Sequence, residues 1–244
     1  MPEAQAIEAP MLEVKGLDVK YGDVQVLWDV SLTVGRGEVV AVMGPNGSGK
    51  STILKAIIGL VRPSGGTITL DGKTISGLPA HQMAGLGVSL VLERRRLFPQ
   101  MTVLENVRMG AFHPAVRARE KERLEWVEYL FPIIRERRGQ LAGRMSGGEQ
   151  QMVAIARGLM SGPRLLMMDE PFLGLAPRIV DQIVDIIRKI NAEGIAVLFN
   201  EQNVHLSFSN SHRGYLLESG RIVLEGSGLA MLEHEMVKRV YLGT

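Results

Sequence analysis

A chain of 244 residues with 45% hydrophobic and 22% charged side chains carries ordinary globular usage and is long enough to bury a sizeable core, which excludes a disordered polymer. Its net charge of +2 is too small to argue for nucleic acid as the main partner, and none is expected. Cysteine is absent, which excludes disulfides, Cys-ligated zinc and thiol catalysis and suits a reducing compartment. No apolar run approaches the roughly 18 residues of a membrane span, and residues 1–10 form an acidic tail rather than a basic signal sequence, so a soluble, cytoplasmic chain is expected.

After the tail, Met11 to Val19 alternates apolar and polar residues and predicts a half-buried strand ending at Tyr21-Gly22. Val24 to Val34 predicts a second strand, which turns at Gly35-Arg36-Gly37 into the buried run Val39 to Met43. From Ser51, apolar residues at Ile53, Leu54, Ile57 and Ile58 have helical spacing, stopped by Gly59 and Pro63. Gly65 to Lys73 predicts a hairpin about Asp71-Gly72, and Val88 to Leu92 a strand ending in the polar cluster Glu93-Arg94-Arg95-Arg96. From about Pro99 to Met160 the pattern turns helical, with capping boxes at Thr102/Glu105 and Ser146/Glu149 and an apolar stripe at Leu124, Val127, Leu130 and Phe131. Leu165 to Met168 predicts a buried strand, Pro177 to Ile190 a helix, Ile195 to Phe199 a strand and Tyr215 to Leu224 a hairpin about Ser219-Gly220. Leu229 to Leu242 predicts a closing amphipathic helix. Strands alternating with helices point to an α/β fold with a parallel sheet covered by helices. The expected division is a tail at 1–10, an α/β core with a β subdomain at 11–98 and 161–244, and an inserted helical lobe at 99–160.

Between the buried strand and its helix lies Gly44-Pro45-Asn46-Gly47-Ser48-Gly49-Lys50-Ser51-Thr52, which fits the phosphate-loop pattern in its strand-loop-helix setting. Glycines at 44, 47 and 49 permit positive φ, so backbone N–H groups face one cavity at a helix N-terminus. Lys50 supplies a cation for the β- and γ-phosphates, and the Ser51 hydroxyl a hard oxygen for Mg²⁺. Asp169 and Glu170 end a buried strand, where α/β sheets bind ligands. In a phosphate-loop enzyme Asp169 holds Mg²⁺ through water and Glu170 orients or deprotonates the attacking water. The five histidines show no paired metal-ligand spacing, and Arg94, Arg95 and Arg96 are expected to face solvent or a partner.

Arg144 to Gln151 resembles the signature motif of ATP-binding cassette proteins, and with Tyr21 upstream and Asp169-Glu170 downstream the resemblance covers nearly the whole chain. It implies the fold of an ABC nucleotide-binding domain, a phosphate-loop NTPase core with a mixed sheet, an N-terminal antiparallel region and an inserted helical lobe. It further implies that two cassettes pack head to tail, each ATP lying between the phosphate loop of one and the signature of the other. On that resemblance Tyr21 stacks on adenine, and Ser146, Gly147, Gly148 and Glu149 form the signature contributed in trans to the γ-phosphate. Glu93 stands where cassettes usually have a Gln that touches Mg²⁺ and senses the membrane partner, and Gln202 where a His usually meets the γ-phosphate. With Gly174-Leu175-Ala176-Pro177, both departures are similar to the subgroup that powers branched-chain amino acid uptake, although Arg94 and Asn200 differ even from it. The resemblance implies an ATPase on the cytoplasmic face of the cell membrane, with separate permease subunits, a second identical or homologous cassette and, indirectly, a solute-binding protein as partners. A soluble ABC ATPase of nucleic-acid repair or translation is the alternative; such proteins usually carry a long coiled coil or two cassettes.

Overall fold

The computed structural model describes residues 9–238 and Tyr241. The part of the expected tail at 1–8 and the end of the expected closing helix lie outside the described residues. Two sheets form the frame. β1 (Leu12–Tyr21) pairs antiparallel with β2 (Val24–Val34) and with β4 (Gly65–Leu70), and β5 (Lys73–Thr74) extends the edge. β3 (Val39–Met43), β6 (Val88–Val91), β7 (Leu165–Asp169), β8 (Ala196–Glu201), β9 (Arg213–Glu218) and β10 (Arg221–Ser227) form the second sheet, in the order β10-β9-β3-β8-β7-β6. Its strands run parallel except β10, which returns as a hairpin on β9. Ser219 and Gly220 both take positive φ in that hairpin, as Asp71 and Gly72 do between β4 and β5.

The central strands are apolar on both faces because each face covers a different core. Val40 and Val42 of β3 pack with Leu165 and Met167 of β7 and Leu198 of β8 toward the Lys50–Ile57 helix and the first sheet. Ala41 and Met43 pack with Leu166, Met168, Val197 and Phe199 toward the Gly147–Met160 and Pro177–Ala192 helices. Period-two alternation thus assigns successive side chains of one strand to two cores. The pairing also aligns the strand ends, with Met43 opposite Glu201 and Asp169 opposite Asn200. The loops that leave β3, β7 and β8 therefore emerge at one edge.

Both capping boxes form: Glu105 N–H donates to Thr102 Oγ1 and Glu149 N–H to Ser146 Oγ, while each glutamate accepts from the backbone N–H of its cap. The helical pattern of 99–160 is segmented. Phe131 is forced out of the α region by Pro132, so the charged helix ends at Leu130 and a short one, Pro132–Glu136, begins afresh. The expected single helix over Leu229 to Leu242 is corrected to Gly228–Glu233 and Glu235–Val237, because His234 is extended and its Nδ1 accepts the Met236 N–H, restarting the chain as a new turn.

Asn106, fully buried, ties the loop that precedes the Val103–Arg108 helix. Its Oδ1 accepts the Phe98 N–H at 2.8 Å and its Nδ2 donates to the carbonyls of Phe98 and Thr102, both at 3.0 Å. Asn106→Ala deletes these bonds and strands backbone groups away from water, so urea unfolding should register a loss of about 2–4 kcal/mol.

Candidate active site

The Gly44–Gly49 loop is shaped by close approach at one glycine and by handedness at two others. A Cβ at Gly44 would stand 2.2 Å from the Leu217 carbonyl oxygen, so β9 leaves room only for glycine. Gly47 and Gly49 have φ of 81° and 107°. Gly49 then begins the Lys50–Ile57 helix with no side-chain cap, which leaves the N-terminal donors of that helix to a ligand. Ser48 Oγ, buried beneath the loop, has no hydrogen-bond partner among the described residues. Lys50 is almost fully buried, its Nζ donating to the carbonyls of Gly44 at 2.8 Å and Pro45 at 3.1 Å and lying 3.8 Å from Glu170 Oε1. Burial holds the Lys50 pKa below its usual value, against the attraction of Glu170, Glu201 and Asp169. These features fit a polyanion: uncapped N–H groups, an orphaned hydroxyl and a partly desolvated cation.

Asp169 ends β7 at 2% exposure, and its Oδ1 accepts from Ser51 Oγ at 2.7 Å and from Asn200 Nδ2 at 2.8 Å. Glu170 follows with φ of 47°, a left-handed conformation held because its N–H donates to Asn200 Oδ1 at 2.7 Å. Gln202 Nε2 donates to Glu170 Oε1 at 2.9 Å. Glu170 therefore has its backbone fixed by β8 and one carboxylate oxygen engaged by Gln202. Sequence reasoning gave Asn200 no role and passed over Glu201. Glu201, also buried, accepts the Phe172 N–H at 2.9 Å and the Gln202 N–H at 3.2 Å, pinning the segment after Glu170 to the end of β8. Burial is the main cause that raises the Glu201 pKa. The available signal was the run of four polar residues, Asn200 to Asn203, that closes an apolar strand next in the sheet to the strand that ends in Asp169-Glu170.

A cavity of about 390 Å³ opens over the loop. Asn46, Gly47, Gly49, Lys50, Ser51 and Thr52 form its floor, Tyr21 and Val26 one wall, and Glu93 and Glu170 another. Tyr21 is 46% exposed, with its hydroxyl 3.5 Å from Thr52 Oγ1, so its ring is free to pair with a flat ligand. Asp169 and Gln202 lie just behind this lining. Ser146, Gly147, Gly148 and Glu149 are not among the lining residues. They begin the Gly147–Met160 helix elsewhere on the molecule, with Gly148 against Ile179 and Gly147 against Arg95. A larger cavity of about 490 Å³ lies between the Leu130–Ile133 segment and the Pro177–Ala192 helix, and only Glu149 of the predicted site residues lines it. His205 is exposed on the Val204–Phe208 helix.

The family profile described as "ABC transporter" matches residues 27–173. The branched-chain amino acid transport ATP-binding protein BraG of Pseudomonas aeruginosa is 43% identical over 96% of this chain and 100% of its own length. The lipopolysaccharide export system ATP-binding protein LptB of Haemophilus influenzae is 36% identical over 96% of this chain and 97% of its own. Among solved structures, a nucleotide-free ATP-binding cassette from an ABC transporter superposes with a TM-score of 0.86 at 26% identity, covering 97% of this chain and 100% of that one. A dimeric bacterial ABC transporter cassette superposes with a TM-score of 0.77 at 27% identity, covering 89% of this chain and 98% of that one.

The buried Glu201 carries a pH signature. Its folded pKa is raised above the ordinary 4.5, so the folded state holds the proton more tightly than the unfolded chain. The stability from that preference is complete below 4.5 and is lost as pH rises through the folded value. Glu201→Gln keeps an acceptor for the Phe172 N–H without the titration. In urea unfolding across a pH series, the stability of the variant relative to wild type should therefore rise from pH 4.5 upward and then level off. A difference that stays flat across the series contradicts a raised Glu201 pKa.

Proposed function

Since the chain belongs to the ABC transporter family, in which it is an ATP-binding, ATP-hydrolysing subunit, we propose that it dimerises around ATP to drive solute uptake through separate membrane permease chains. The solute is read as branched-chain amino acids, supported by the 43% identity to BraG against 36% to LptB and by Gly174-Leu175-Ala176-Pro177 and Glu201-Gln202-Asn203.

In this reading Tyr21 stacks on adenine and the 44–52 loop wraps the phosphates, with Lys50 leaving its carbonyl partners to meet them. Mg²⁺ would be held by Ser51 and Asp169, whose hard oxygens already adjoin at 2.7 Å. The ion would neutralise charge as the γ-phosphate departs. Glu93, on the cavity wall, takes the sensor position. Glu170 is the base. Gln202 donates to Glu170 Oε1, holding its carboxylate in one rotamer, and its amide would donate to the γ-phosphate where a His usually does.

One observation carries the dimeric form of the proposal. The cavity gathers the phosphate loop, Tyr21 and Glu170, while the second anion-binding motif, Ser146 to Glu149, begins a helix outside it. A second cassette, the same chain or a homologue, would bring its own signature to this cavity and receive this one in return. That a similar bacterial ABC transporter cassette is dimeric supports a paired form. For the permease, support comes from a separate groove of about 250 Å³ lined by Ile58, Leu60, Leu90, Met109 and Phe112, of which Leu60, Met109 and Phe112 are exposed. An apolar groove with exposed aromatic and aliphatic edges suits a helix from a membrane partner. Among the described residues no helix is long and apolar enough to cross a membrane; peripheral attachment at the cytoplasmic face is read from the kinship to transporter ATP-binding proteins.

Mixing variants tests the composite site. Lys50→Ala breaks one chain's phosphate loop and Ser146→Arg breaks the other's signature, so a mixed dimer retains one intact composite site and one doubly broken. ATPase activity in the mixture, absent from either variant alone, is the expected result. Mixed dimers that are proven to form but never turn over ATP would overturn it.

A further inference from the structure

Of Arg94, Arg95 and Arg96, only Arg95 turns inward, and all three have positive φ, at 61°, 64° and 44°. Successive left-handed residues with side chains are costly, so something outside the loop must hold them. Two contacts do so, both to the Gly147–Met160 helix. The Arg95 guanidinium lies flat against Gly147, the first residue of that helix: a Cβ there would stand 2.9 Å from Nη2 and 3.2 Å from Cζ. About three turns further along, Arg157 donates to the Arg95 carbonyl at 3.2 Å, its own guanidinium lying over the Phe98 ring at 5.9 Å. Arg95 thus touches the helix at its first turn through the side chain and near its end through the backbone. The first of these contacts exists only because Gly147 has no side chain.

Placing a cation at the positive end of a helix is unfavourable by itself. The arrangement makes sense as a positioning contact, in which the guanidinium plane fixes where Ser146 and Gly147 stand. We propose that Arg95 is a positioning residue for the signature, holding the start of the Gly147–Met160 helix in the orientation it offers to the nucleotide of the partner cassette. Arg95 acts through Ser146 and Gly147 and in trans; its own chain's nucleotide cavity does not depend on it. This rests on the composite-site reading above.

The test uses the same mixed dimer, in which the only intact site combines the phosphate loop of the Ser146→Arg chain with the signature of the Lys50→Ala chain. Arg95→Ala is added to one chain or the other. In the Lys50→Ala chain, which donates the signature, it should lower kcat by about tenfold or more through misplacement of a transition-state contact, with KM for ATP changed by less than about twofold. In the Ser146→Arg chain, whose signature faces the broken site, the same substitution should cost less than about twofold in kcat. Equal losses from both placements would assign Arg95 a general structural role. Loss only from the nucleotide-holding chain would assign it to the cavity through Glu93, and no loss from either would remove it from the reaction; each of these outcomes overturns the proposal. The parent mixture, run without Arg95→Ala, separates the two readings: if it is inactive, the composite site fails, and if it is active, the placement pattern judges Arg95 alone.

Discussion

Ser51 and Asn200 donate to the same oxygen of Asp169, and that shared acceptor locks together the C-terminal ends of β7 and β8 and the helix that β3 feeds. Hydrogen bonds to a charged acceptor contribute about 1.5–3 kcal/mol each, and here both are at the edge of a sheet whose register already sets Asp169 opposite Asn200. The same Asn200 spends its remaining oxygen on the Glu170 N–H, which holds Glu170 in a left-handed conformation an unconstrained glutamate avoids. One buried amide therefore fixes the Asp169 carboxylate and the Glu170 backbone together. The Ser51 contact draws the phosphate-loop helix into the same network.

Around this knot the charges meet at Lys50. Lys50 is buried among carbonyls and faces three carboxylates, and desolvation outweighs their attraction. Lys50 and Glu170 both line the cavity over the phosphate loop, 3.8 Å apart. On the proposed reading a triphosphate would meet Lys50 there, and its γ-phosphate would be shared with a second chain whose signature brings helix N–H donors. Loss of that phosphate would leave the two cassettes facing each other with cationic and uncapped groups, so the assembly would have two states of different affinity.

Much of this was legible in the chain. β2 and β3 begin and end where their apolar runs do, and both capping boxes form, because strict alternation, buried runs and Ser/Thr-x-x-Glu each have a single low-energy interpretation. The cavity lining brings Tyr21, most of the 44–52 loop, Glu93 and Glu170 together from segments far apart in sequence. The features that stayed hidden depended on cross-strand register or on a long side chain's direction. Asn200 reads as one substitution in a motif until the pairing of β7 and β8 sets it beside Asp169. Arg95 reads as one of three exposed cations until the left-handed backbone turns it onto Gly147. The expected closing helix is too long because apolar spacing continues through His234 while the helical backbone does not.

The central claim is that the phosphate loop of one chain and the signature of another share a nucleotide. Because the chain has no cysteine of its own, a thiol can be introduced at one position per chain and cross-linked without background. Asn46→Cys in one chain and Ser146→Cys in another, both also carrying Glu170→Gln so that bound ATP persists, should be joined by a short bifunctional thiol reagent into a covalent dimer when ATP is present and not when it is absent. A cross-link that forms only within a single chain bearing both cysteines, or one indifferent to ATP, would contradict the claim.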